Sequence, residues 1–220
     1  MKKITLNSFI AATALLFVGC GGGSSSSDGI SGKLVDAPVV GADYECGNTH
    51  GTTASDGSFS CSKAPITFKV GGVTLGEIES VPSDGYVTPF ELAHTARGNY
   101  TEDVKKIAIF LQGLDDDGSY EDAIHIDKRE KEHLAKVHKD IHSMSHDECL
   151  NLLGDAGAKH IPTDEEAKKH LDEHIKKHEN EAKESHVQKD NIDENHKSDP
   201  ENKDHDNEKN HNDKEKDHNK

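Results

Sequence analysis

The stretch Ser31-Gly32-Lys33-Leu34-Val35-Asp36-Ala37-Pro38-Val39-Val40-Gly41-Ala42 sets the reading of the folded region, because its apolar residues come in short runs cut by Asp, Pro and Gly. Runs of that length suit β-strands, whose side chains alternate between two faces and whose ends are marked by turn residues. The pattern continues to Ile78 and predicts strands over residues 31–36, 42–46, 51–54, 58–60, 66–70 and 73–78. Asp56-Gly57 and Gly71-Gly72 are two-residue turn signals, since glycine reaches the positive φ that such turns need. Short strands at this spacing predict a small antiparallel sandwich or barrel.

Further along, the hydrophobic period changes from two to that of a helix. Residues 100–114 place Val104, Ile107, Ala108 and Leu111 on one face, with Thr101 as N-cap, so this helix is expected to pack on the sheets. After Asp127 the Lys, Glu, Asp and His pattern predicts helices near 128–142, 147–153 and 164–185. Thr163 with Glu166 matches a capping box at the start of the last one. Its apolar residues, Ala167, Leu171, Ile175 and Ala182, are sparse, which predicts partial docking. The fold class expected is therefore α+β, with a small antiparallel β-sandwich followed by helices and a disordered charged tail.

These residues also carry a resemblance. The run Ser31 to Ala42, followed by Thr52-Thr53-Ala54-Ser55-Asp56-Gly57-Ser58-Phe59, is similar to the carboxypeptidase regulatory-like module. That resemblance implies a transthyretin-like, seven-stranded sandwich of the immunoglobulin-like type. Val70-Gly71-Gly72-Val73-Thr74-Leu75-Gly76, Val87-Thr88-Pro89-Phe90-Glu91-Leu92 and Ile107-Ala108-Ile109-Phe110-Leu111-Gln112-Gly113-Leu114-Asp115 look like bacterial surface lipoproteins that carry such a module. The similarity covers residues 30–126 and rests on turn and core residues, so it speaks to fold and not to chemistry.

At the N-terminus, Lys2 and Lys3 precede an apolar run from Phe9 to Val18. Leu16-Phe17-Val18-Gly19-Cys20 resembles the lipobox of bacterial lipoproteins, which implies cleavage before Cys20 and acylation of that residue. The run is too short for a comfortable membrane span, so lipid chains on Cys20 would hold the protein. Gly21 stands where Asp favours inner-membrane retention, which implies the outer membrane. The Gly/Ser run after Cys20 is a flexible tether.

The 220 residues carry 31% hydrophobic residues and no Trp, and the stretch 193–220 has no Ala, Val, Ile, Leu, Met, Phe, Tyr or Cys, so the chain cannot be one uniform core. The expected organisation is a signal peptide (1–19), tether (20–29), sandwich with packed helix (30–126), His-rich helical extension (127–185) and polar tail (186–220). A net charge of -16 excludes nucleic acid as a natural partner, because phosphate binding needs a basic surface. In an oxidising compartment Cys46 and Cys61 are expected to pair, while Cys149 reads as a small buried apolar residue.

Histidine is the chemical signal. Of 16 His, 14 lie at or after His125, and neutral imidazole is the commonest metal ligand. His138, His142 and His146 recur every four residues, as do His170, His174 and His178, so on helices each set would offer two imidazoles to one Zn²⁺, Ni²⁺ or Cu²⁺ ion. The loop residues Asp115, Asp117, Ser119 and Glu121 present hard oxygens of the kind Ca²⁺ prefers, although Gly118 is out of place for an EF-hand. His170-Leu171-Asp172-Glu173-His174 matches the H-x-x-E-H of some metallopeptidases, but the surrounding catalytic domain that motif requires is missing, and no enzyme is expected.

The expected function is thus a lipid-anchored envelope protein whose His-rich region binds transition metal. The alternative is an adhesion or scaffold module for an envelope protein or glycan, with the tail as a hydrated spacer. Mass spectrometry of the mature N-terminal peptide is expected to find Cys20 acylated; an unmodified Cys20 there would remove the anchor.

Overall fold

The computed structural model describes residues 29–118 and 122–195, with side chains as far as residue 181. The expected signal peptide, Cys20, Ser119, Glu121 and the tail past residue 195 lie outside the described residues. Strands β1 Ile30–Leu34, β2 Val39–Val40, β3 Asp43–Cys46, β4 Thr49–Thr52, β5 Ser58–Cys61, β6 Ile66–Val70, β7 Val73–Ile78 and β8 Tyr86–Val87 lead into helices α1 Pro89–Leu92 and α2 Glu102–Gly113. There follow β9 Ile124–His125, α3 Lys128–Leu134, β10 Lys139–Asp140, a 3-10 turn Ile141–Ser143, α4 His146–Ala156 and α5 Asp164–Asn195.

The class is α+β. One sheet has the order β10-β7-β6-β3-β4, a second β5-β1-β8, and β2 pairs with β9 alone. Strand pairs expected from the alternating run are antiparallel. The two-residue strands β8, β9 and β10 instead join in parallel, which requires the chain to cross back before pairing. Contrary to the expectation of an antiparallel sandwich followed by helices, the sheets are mixed and the helices are interleaved with them.

Gly71 takes φ +58 in the β6–β7 hairpin, whose register closes on Val70 opposite Val73. Asp56-Gly57 turns the chain without making a hairpin, since β4 pairs with β3 while β5 crosses to β1. Phe59 of β5 meets Phe68 of β6 edge-on at 4.9 Å, so the two sheets share a core. Cys46 and Cys61 form a disulfide that ties β3 to β5, with Cα atoms 5.9 Å apart. Closing that loop is worth about 3 kcal/mol on chain-entropy grounds.

Helix α2 is capped by Thr101, as expected, but it is enclosed and not merely laid on a sheet. Val104, Ile107, Ile109, Phe110 and Leu111 are all buried, because α4 and α5 cover the side that the sheets leave open. Leu153 of α4 and Leu171 of α5 belong to the same core as Leu34 and Phe68, so residues 127–181 share one interior with the β-rich half. Helix α5 continues to Asn195, past the boundary at 186 where an irregular tail was expected.

The helix expected over 128–142 stops at Leu134. Lys139 and Asp140 pair with Val73 and Thr74 at the sheet edge, and a sheet partner wins over weak local helix propensity. The chain reaches that edge by passing close over the β6–β7 turn. A Cβ on Gly72 would lie 2.0 Å from the Val137 carbonyl oxygen, so only glycine fits there.

Lys106 of α2 is 5% exposed and donates from Nζ to the carbonyls of Ile141 at 2.9 Å and Met144 at 2.8 Å. Asp103 Oδ1 meets the same ammonium at 2.8 Å. The buried charge is thereby satisfied and pins the 3-10 turn to the helix. Lys106→Met is expected to cost roughly 2–4 kcal/mol in urea unfolding and to expose residues near Met144 to protease, because the carbonyls lose their donor in a dry site. A change under 1 kcal/mol would mean that water replaces the ammonium without loss.

Candidate metal centre

The inward face of α5 is set by Ala167 and Leu171, which are buried, and helical spacing brings His170 and His174 to the same side. The Thr163/Glu166 capping box starts the helix, with Glu166 N donating to Thr163 Oγ1 at 3.3 Å. Its register on the core is fixed by Asp36, in the turn after β1, which is 1% exposed. His170 Nδ1 lies 3.1 Å from Asp36 Oδ1, and Gln112 Nε2 of α2 donates to Asp36 Oδ2 at 2.9 Å. Gln112 Nε2 also reaches the Ala167 carbonyl at 3.2 Å, so one carboxylate and one amide join three elements.

The next two turns carry the chemistry. His174 is 9% exposed, and its Nδ1 is enclosed without a hydrogen-bond partner among the described residues. His178 stacks on Tyr86 of β8 with ring centroids 4.3 Å apart. Its Nδ1 lies 3.1 Å from Glu181 Oε2, and its Nε2 is enclosed and likewise without a partner. Ring centroids are 4.5 Å apart for His170 and His174, and 6.3 Å apart for His174 and His178. Two imidazoles sharing an ion at about 2.0–2.1 Å have centroids about 5 Å apart around a tetrahedral ion and about 6.4 Å apart when opposite each other across it, so the second pair fits a nearly linear bridge and the first is too close.

Of the expected ligands, His138, His142 and His146 are not brought together on a helix. His138 is exposed before β10, His142 sits in the 3-10 turn, and His146 opens α4 with Nε2 3.6 Å from Asp164. Cys149 is buried beneath the Lys106 carbonyl, and burial pushes its thiol up to about 11, against the thiolate a metal needs. Asp172, another possible oxygen donor, is held by the Tyr100 hydroxyl and by Lys168 at 2.7 Å.

In the expected calcium loop Asp115 is buried, and its Oδ1 accepts from the His125 amide at 2.8 Å. Asp117 is exposed, while Ser119 and Glu121 lie outside the described residues. Among the described residues, the one three-residue grouping with donor atoms within 4.8 Å is Asp115, Asp116 and His125, a mixture with nitrogen that suits Ca²⁺ poorly. Among the described residues, the α5 face therefore offers no closed three-ligand cage.

Asp36, Tyr86 and Glu181 were not singled out from the sequence. Glu181 stands three residues beyond His178, so helical spacing was available as a signal. Asp36 and Tyr86 lie far away along the chain and carry no such mark.

Burial, then the neighbouring His170, holds the His174 pKa below its ordinary value of 6.5, with His178 and Lys177 adding to this and Asp36 opposing it. Below that pH the unfolded chain takes up more protons at this residue than the folded one, so stability falls with acid. Glu130 works the other way, since burial pushes its carboxyl from 4.5 up to about 7 and its contribution falls as pH rises through that window. The difference between native and His174→Leu protein isolates the imidazole. Urea unfolding is expected to show a steeper acid loss in the native protein below about pH 6.5, and parallel profiles would dismiss His174 as the cause. No family model matches the chain, and neither a curated protein nor a solved structure matches it, so the functional reading rests on this geometry.

Proposed function

We propose that this chain is a lipid-anchored envelope protein that binds a transition ion, Zn²⁺, Ni²⁺ or Cu²⁺, between His174 and His178. The observation that carries the reading is the pair of enclosed nitrogens, His174 Nδ1 and His178 Nε2, one helical turn apart and without partners among the described residues. Each unpaired buried nitrogen costs about 1–3 kcal/mol, and a shared ion removes that cost. Glu181 at the far nitrogen of His178 fixes its tautomer, as carboxylates do behind metal-bound imidazoles. The lowered pKa of His174 keeps its ring neutral, hence able to bind metal, at neutral pH.

Two protein donors leave positions open to water or an external ligand, which suits exchange of an ion better than a permanent structural role. The lipid on Cys20 and the outer-membrane location enter this proposal through the lipobox resemblance. Kinship with the carboxypeptidase regulatory-like sandwich enters it too, supported by two sheets that share a core through Phe59 and Phe68. Such a base would keep the binding face itself rigid on its flexible tether to the membrane.

Thermal melts of the full mature chain, purified without an affinity tag, test the reading. An ion held by a folded site raises the midpoint, whereas ions held loosely by a polar tail bind folded and unfolded chain alike. Zinc is expected to raise the midpoint, and His174→Gln with His178→Gln is expected to shrink that rise. Removal of residues 196–220 is expected to leave it intact. A zinc response untouched by the double substitution would overturn the assignment.

A further inference from the structure

We infer a second transition-metal site, formed by His94 and His142 with Asp103 positioning the latter. It shares no residue with the α5 face and stands or falls independently of it.

His142 Nδ1 lies 3.2 Å from Asp103 Oδ2, while its Nε2 is enclosed and has no hydrogen-bond partner among the described residues. A carboxylate at one ring nitrogen and a vacant lone pair at the other is the arrangement that orients metal-binding imidazoles. The backbone that carries the ring is held in place. Asp140 Oδ1 accepts from the His142 amide at 2.9 Å, and Lys106 holds the flanking carbonyls of Ile141 and Met144. The ammonium does not repel an ion unopposed, because Asp103 Oδ1 neutralises it at 2.8 Å.

His94 supplies the second donor. Its ring centroid is 6.3 Å from that of His142, with the planes inclined by 28°, the separation of two imidazoles that stand nearly opposite each other across an ion at about 2.0–2.1 Å. The backbone of His94 has φ +52 just after Ala93 caps α1. Glycine is the ordinary residue at such a helix end, and a side chain there is strained. An exposed imidazole stands where glycine would be less strained, 6.3 Å by centroid from the ring that carries the enclosed nitrogen. Two imidazole donors with open positions for water select Zn²⁺, Cu²⁺ or Ni²⁺ over oxygen-seeking ions.

The experiment uses the full mature chain carrying His174→Gln and His178→Gln, so that the α5 pair is silent. Zinc at a hundredfold excess over Kd is expected to raise its thermal midpoint by about 5–10 °C. His94→Asn, which tolerates positive φ, is expected to keep the metal-free midpoint and lose the zinc rise. His94→Gly is expected to match or exceed the native metal-free midpoint and also to lose the rise, which separates ligation from any structural role of the side chain. No zinc rise in the α5-silent protein, or a rise that survives both His94 substitutions, would overturn this site. If the native protein still responds to zinc while the α5-silent protein does not, the α5 site stands and this one falls.

Discussion

The buried carboxylate of Asp36 is the constraint on which the arrangement of the helices depends. A carboxylate enclosed in a core is stable only when its oxygens are met, and here His170 meets one and Gln112 the other. Because Gln112 belongs to α2 and His170 to α5, satisfying one charge sets the distance and rotation of both helices against the turn after β1. Once His170 is held, the helical repeat leaves no choice about the next two turns. His174 and His178 must face the sheet edge that carries Tyr86.

A second buried charge acts on the other part of α2. The Lys106 ammonium collects the carbonyls of the 3-10 turn and the carboxylate of Asp103, and so builds a fixed loop out of residues with little apolar content. Both arrangements combine the same parts: a satisfied charge that immobilises backbone, and beside it an imidazole with a carboxylate on one nitrogen and, among the described residues, no partner on the other. Asp103 stands to His142 as Glu181 stands to His178. Apolar packing alone does not orient a ring to that degree, since it leaves rotation about χ2 open.

Local patterns were legible in the sequence wherever the determining forces are local. Strands β1 and β3 to β7 fall where alternation and turn residues placed them, because side-chain alternation and glycine at positive φ act over a few residues. The caps at Thr101 and Thr163, and the pairing of Cys46 with Cys61, were legible for the same reason. The four-residue histidine repeat predicted a shared helical face, which 170, 174 and 178 have and 138, 142 and 146 do not. In the second set the edge of β7 claimed Lys139 and Asp140 as strand partners, and that competition between helix and sheet is invisible to spacing.

By itself, then, the sequence determined the strand and helix periods, the turn positions, the disulfide and the supply of imidazoles, all consequences of chemistry within a few residues or of composition. Tertiary structure alone decided which imidazoles have enclosed, unpartnered nitrogens, that α2 lies inside and not upon the sheets, and that His94 stands opposite His142 across 48 residues of chain. The reason is physical. Burial and the pairing of charges depend on what the rest of the molecule places nearby, and no local pattern along the chain encodes the partner that Asp36 finds in His170.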